Sequence, residues 1–253
     1  MPKKNIPALQ SFLKEFKAVI PQLNELTSLL NTLLEKPAEN HQAIIDIYHK
    51  VYPLLETEIW SGTEFDVKLE TYQVLFREQE SLIAEIDVDN RHDFILSIPI
   101  ADRPEHLRSC LESIYQLCLL YGYGGKSGGL FNKVKVIVAE DSKEQSNIEQ
   151  HISLANEYST GGLQVFHFGQ QEQYEMLQSI PAEQRQFLGS ILTNQPRERF
   201  YLKGQAANRN LSYLKFLQLT EDKENTLYYL VDSDQSFMVN RQAESGEQYV
   251  AAI

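Results

Sequence analysis

The chain has 253 residues, 42% hydrophobic and 23% charged, the composition of an ordinary globular protein with one large domain or two small ones. Its formal net charge of −12 excludes a general nucleic-acid binder, which needs a basic face for phosphates, but not a nucleotide held by a few local groups or a metal. No apolar run approaches the ~20 residues needed to span a bilayer, and the charged, amphipathic start MPKKNIPALQSFLKEF is not signal-like, so the expected location is cytoplasmic with no transmembrane segment.

Residues 1–90 read as a helical region. Leu9, Phe12, Leu13, Phe16 and Ile20 recur at helical spacing, and Pro21 breaks that run. Further stripes run through Leu23–Leu33, through Ile44–Leu55, and from Phe65 to Ile83. Each stripe must be buried against something, so three or four short helices are expected to pack as a small bundle. His41 and His49 are not spaced as metal ligands. The expected role is packing, or contact with a partner or a second copy, so oligomerisation through residues 1–90 is one expectation.

From residue 91 strand-length apolar runs alternate with helical ones. Expected strands are 94–98, 134–139, 163–168 and 227–231. Expected helices are 104–121, with Pro104 suited to its first turn and Gly122 to its end, then 148–158 and 205–219. The polar stretch 170–203 reads as an inserted loop or short helices. Cys110 and Cys118 fall in one helix, too far apart to pair, and read as reduced core thiols. The alternation predicts an α/β domain over 91–253: a mostly parallel, Rossmann-like sheet with helices on both faces, preceded by the small all-α region. Ligands of such sheets bind outside the carboxyl ends of the strands.

The chemistry-bearing residues fall at those ends. The stretch YYLVDSDQSF carries an apolar run into Asp232 and Asp234. On extended backbone, residues two apart face the same side, so the carboxylates would repel unless a cation lies between them. Mg2+ or Mn2+ suits that position, because such ions take one or two carboxylates and complete their shell with phosphate oxygens and water. This reading requires the two side chains to line a pocket and not to be clamped by an arginine. VKVIVAEDSKE ends the second strand in Glu140, Asp141 and Ser142, and ILSIPIADRPEHL ends the first.

Taken together, Ile98-Pro99 through Arg103-Pro104, Glu140-Asp141-Ser142, KGQAANRN with Gly204, Arg209 and Asn210, and Asp232-Ser233-Asp234 resemble the family 2 nucleotide-sugar glycosyltransferases of glycosyltransferase A fold. The resemblance covers roughly residues 93–240. It implies a metal-dependent enzyme that binds a UDP- or GDP-linked sugar and transfers the sugar to an acceptor glycan, lipid or small molecule. It places Pro99, Ala101, Asp102 and Arg103 beside the base and ribose, Asp141 on the base, and Gly204, Arg209 and Asn210 near the diphosphate. Asp232 would approach ribose or metal, and Asp234 would ligate the metal.

Family members often carry an aromatic residue and Asn where this chain has Ala101 and Asp102. Their acceptor site and catalytic carboxylate lie well beyond the Asp-x-Asp, whereas only residues 235–253 follow here. The chain is therefore expected to be a donor-binding half, able to bind a nucleotide sugar without transferring it. Its catalytic residue is unassigned, Glu247 and Glu244 being the acidic residues of that tail. Two other readings compete. Asp232 could be the nucleophile of a haloacid dehalogenase-like phosphatase, or the chain could be a non-catalytic interaction protein. GYGGKSGG lacks the first Gly of a P-loop and sits between a helix and a strand in the wrong order, so it reads as a flexible loop. Arg197, Arg199 and Lys203 form a local basic patch, expected to be solvated.

Overall fold

The computed structural model describes residues 6–37, 39–86, 89–243 and 246–251, with only the backbone described from residue 238 onward. The chain divides into two compact units, Met1–Asp89 with Leu120–Gly125, and Asn90–Leu119 with Lys126–Ile253.

The first unit contains α1 (Pro7–Phe16), α2 (Leu23–Leu33), α3 (His41–Trp60) and α4 (Phe65–Ile83). The apolar stripes seen in the sequence are the buried faces: Leu9, Phe12 and Leu13 on α1, and Ile44, Ile47, Tyr48, Val51 and Leu55 on α3. Two of the helices, α3 and α4, are longer than the short helices expected. Pro7 opens α1 at a position where a missing N–H costs nothing. The next two amides of α1, those of Ala8 and Leu9, each donate at 2.8 Å to the Glu78 carboxylate of α4. Tyr48 also donates to Glu78, at 2.7 Å, and burial, then this carboxylate, raise the Tyr48 phenol above its ordinary range. One side chain thus caps α1 and ties it to α3 and α4. Glu78→Ala orphans three donors and is expected to cost about 1–3 kcal/mol, measured by urea unfolding of the full chain monitored at Trp60. A change under about 0.5 kcal/mol would refute the capping role.

The second unit follows the strand–helix alternation. Its elements are β1 (Asp93–Ile100), α5 (Pro104–Tyr121), β2 (Lys126–Ser127), β3 (Leu130–Phe131), β4 (Val134–Glu140), α6 (Gln145–Thr160) and β5 (Gln164–Phe168). Then come α7 (Gln170–Ser179), α8 (Ala182–Leu188), a 3-10 turn (Arg197–Leu202), α9 (Gln205–Leu219), β6 (Thr226–Leu230), β7 (Met238–Ala243) and β8 (Gly246–Ala251).

Strands β5, β4, β1 and β6 form one sheet in that order, all parallel, with Ile98 opposite Val138 and Leu96 opposite Tyr229. Alternate residues go to opposite faces. Leu96, Ile98, Val136 and Val138 pack with Leu107, Leu111 and Ile114 of α5 and Leu154 of α6. Ile95, Ile137 and Ala139 pack with Phe168, Leu177 of α7, and Leu211 and Phe216 of α9. Both faces are therefore covered, which explains why the strands read as nearly unbroken apolar runs. Cys110 and Cys118 are free and buried, and burial pushes both thiols up to about 12.

One expectation needs correction, one of two alternatives is selected, and one element was not expected. The segment GYGGKSGG is not a plain flexible loop: Lys126-Ser127 and Leu130-Phe131 pair as a hairpin closed by Gly128 and Gly129, both at positive φ. The stretch 170–203 holds α7, α8 and the 3-10 turn. A further antiparallel pair, β7 with β8, follows the Asp-x-Asp.

Candidate functional site at the carboxyl edge of the sheet

The chain runs outward from β1 to β4 to β5 and then returns to the other side of β1 with β6. The reversal opens between β1 and β6, which is where sheets of this winding bind ligands. The loops after β1, β4 and β6 meet at this edge.

The first two loops are stapled together. The Asp141 amide donates to the Ile100 carbonyl at 2.8 Å, and the Asp102 amide donates to Ser142 Oγ at 2.8 Å. Asp102 adopts a positive φ of 50°. Its carboxylate accepts from Asn147 Nδ2 at 3.0 Å and from the amides of Glu144 and Lys143 at 3.3 and 3.4 Å, so it holds the loop that leads into α6. The Asn147 bond, with these amides, holds the Asp102 carboxyl below the usual range. Pro99 is half-buried in β1, while Ala101 and Arg103 are exposed.

At the end of β4 the sequence reading missed the residue on which most bonds converge. Glu140 is 0% exposed. His151 Nδ1 lies 2.8 Å and His167 Nε2 3.2 Å from its Oε2, and the Ser142 amide donates to Oε1 at 2.8 Å. Burial alone would raise the Glu140 carboxyl, but these donors outweigh it and hold the group well below the usual carboxylate range. Gln173 of α7 donates to the Glu140 carbonyl at 2.8 Å, and Asn208 of α9 to the Ala139 carbonyl at 3.0 Å. No local signal marked Glu140, because its partners lie 11 and 27 residues away.

Asp141 is ion-paired with Lys203, whose side chain is buried. Burial raises the Asp141 carboxyl and lowers the Lys203 ammonium, each opposed by the other's charge. Lys203 is therefore not part of a solvated patch, whereas Arg197 and Arg199 are exposed. The reason is its place just before Gly204, where the chain enters α9 beneath the end of β4.

Gly204 has φ 83°, and a Cβ there would meet nothing within 4 Å. The first turn of α9 has no side-chain cap. Arg209, in the second turn of α9, ion-pairs with Asp232, and Gln205 Nε2 lies 3.5 Å from the same oxygen. Arg209 Nε is buried without a hydrogen-bond partner among the described residues. Asn210 instead donates to the Ile191 carbonyl at 2.6 Å.

The expected geometry of the two aspartates is corrected. The strand ends at Leu230, and the Gln235 amide donates to the Asp232 carbonyl at 2.9 Å. That bond closes a turn with Ser233 and Asp234 at its centre, so the backbone is not extended and the two carboxylates do not share a face by strand alternation. Asp232 is held by an arginine, against the condition stated for a cation between the two carboxylates, while Asp234 is exposed. Among the described residues no group of three or more His, Cys, Asp or Glu side chains is placed to hold a metal ion. Glu244 lies outside the described residues, as does the side chain of Glu247.

Comparison with protein-family models, with curated proteins and with solved structures finds no match to this chain.

Proposed function

We propose that the α/β unit is a nucleotide-sugar-binding domain of glycosyltransferase A type, the donor half of a metal-dependent glycosyltransferase. The observation that carries this reading is the Arg209–Asp232 pair beside the uncapped start of α9, at the point where the strand order reverses. An uncapped helix start offers backbone donors and a positive partial charge to an anion. Gly204 leaves open space there, and Arg209 keeps an unpartnered buried Nε. These features suit a diphosphate better than a carbon skeleton.

In this reading Asp232 holds the guanidinium in place before the donor arrives, and the diphosphate then shares or takes over that charge. The base and ribose rest on the β1 loop, Pro99 to Arg103, and on the rim formed by Asp141. Asp232 is engaged by Arg209, so the metal role falls to Asp234, which would hold Mg2+ or Mn2+ against the diphosphate, and the ion would stabilise charge on the departing nucleotide. The resemblance in sequence order and the geometry of the edge support one another here, and neither names the nucleotide, sugar or acceptor.

Calorimetric titration of the full chain with UDP- and GDP-sugars, with and without Mn2+, tests this. One nucleotide class is expected to bind, more tightly with Mn2+. Mn2+ alone is expected to bind weakly, because the protein offers it too few ligands. Asp234→Asn should abolish the metal effect while leaving metal-free binding intact. Arg209→Ala should weaken binding in both conditions by roughly tenfold or more. No nucleotide binding, or binding indifferent to both substitutions, overturns the reading.

A further inference from the structure

Residues 182–220, counted from the start of α8, contain six Lys and Arg against two Glu, Glu183 and Glu198, in a chain whose net charge is −12. Three of those cations are spent internally: Lys203 on Asp141, Arg209 on Asp232 and Lys215 on Glu172. The other three, Arg185, Arg197 and Arg199, lie in the lobe formed by α8 and the 3-10 turn. Arg197 and Arg199 are exposed, with Glu198 between them, and Arg185 is half-buried against Gln178.

The same lobe exposes large apolar side chains. Phe187 is 83% exposed, and Ile191 and Leu202 are each 52% exposed. The lobe is nonetheless pinned to the sheet face. Leu192 and Phe200 are buried in the core there, and Phe200 meets Tyr174 edge-on at 5.4 Å. The helix α8 buries none of its residues. Leu192 and Phe200 are turned inward as anchors, Arg197 and Arg199 between them are exposed, and the exposed Phe187, Ile191 and Leu202 flank the anchors in the chain. This is not the ordinary scatter of single exposed apolar residues, because the apolar side chains and the spare cations fall within one short anchored segment.

We infer that this lobe is a docking surface for an anionic lipid bilayer. Two observations favour a bilayer over a protein partner. Phe187 protrudes almost fully, so a protein would need a matching pocket, whereas a bilayer interface deforms around an inserted ring. Arginines flanking protruding apolar side chains are also what an interfacial segment uses, with the ring in the acyl boundary and the guanidinium groups among lipid phosphates. Elsewhere the chain is strongly acidic and would be repelled by such a surface, so the lobe also sets which side approaches the lipid. No helix among the described residues is long and apolar enough to cross a membrane, so the contact is peripheral. The inference rests on the lobe alone and does not depend on the glycosyltransferase reading.

Flotation of the full chain with vesicles of equal parts phosphatidylglycerol and phosphatidylcholine, against phosphatidylcholine alone, tests it. The chain is expected to float with the anionic vesicles only, and to be released by high salt. Phe187→Glu and the pair Arg197→Glu with Arg199→Glu should each reduce the bound fraction roughly tenfold, while Phe187→Trp keeps or strengthens it. These positions are exposed, and unchanged circular dichroism checks that the fold persists. Absence of flotation overturns the inference. So does flotation insensitive to either set of substitutions, or capture by soluble polyglutamate without vesicle binding.

Discussion

Glu140→Ala is expected to destabilise the α/β unit by at least about 3 kcal/mol, because it leaves the donors of His151, His167 and the Ser142 amide buried with no acceptor. Urea unfolding followed by circular dichroism reads the loss, and a cost below about 1 kcal/mol would mean that water replaces the carboxylate, against its complete burial. The pH dependence has a definite sign. The Glu140 carboxyl is depressed in the folded chain, since its donors outweigh the burial that would raise it. Its stabilisation is therefore fully present above the ordinary glutamate value of about 4.3 and is lost as pH falls toward the folded-state value. Glu140→Gln should make stability below about pH 4 fall less steeply than in the parent chain.

The second large effect concerns the buried pair Asp141–Lys203. Asp141→Asn leaves the Lys203 ammonium inside without its counter-charge and is expected to cost about 3–5 kcal/mol. Lys203→Met leaves Asp141 in the same position and is expected to cost a similar amount. The double substitution should restore most of the loss, because burying two charges together gains little over a neutral pair of similar volume. A double-mutant cycle measures this. If the single costs simply add, the two groups are not coupled and the contact contributes nothing to the entry into α9. The same variants bear on the proposed site, since Asp141 can meet a nucleotide base only as far as Lys203 leaves it free to do so.

Much of the fold was legible because its periodicities are strong. The apolar stripes of α1 and α3 and the strand runs Phe94–Ile98 and Val134–Ala139 can be buried in one way only, and the parallel sheet follows from their alternation. What was not legible lacks an apolar signature. The helix α7 reads QQEQYEMLQS and buries Gln173 and Leu177; Gln173 is held by hydrogen bonds to the Glu140 and Phe168 carbonyls, so the apolar stripe is weak.

The candidate site shows the same divide. The sequence places Asp102, Asp141, Asp232 and Asp234 after strands, and the topology brings their loops to one edge. It does not show which carboxylates are already engaged, because their partners come from elsewhere in the chain. Asp232 takes Arg209 from 23 residues earlier, Asp141 takes Lys203 from 62 residues later, and Asp102 takes the start of α6. Strand alternation also fails at Asp232, where a turn closed by Gln235 replaces the extended backbone.

The hold that Asp102 has on the loop before α6 has a consequence for affinity. A loop that must settle when its ligand arrives loses part of the contact energy to ordering, of the order of 0.5–1.5 kcal/mol for each immobilised side chain. The turn after β1 has its tip already fastened through four hydrogen bonds, three to the loop after β4 (Ser142, Lys143, Glu144) and one to Asn147 of α6. Whatever rests on that turn meets a wall that is already rigid.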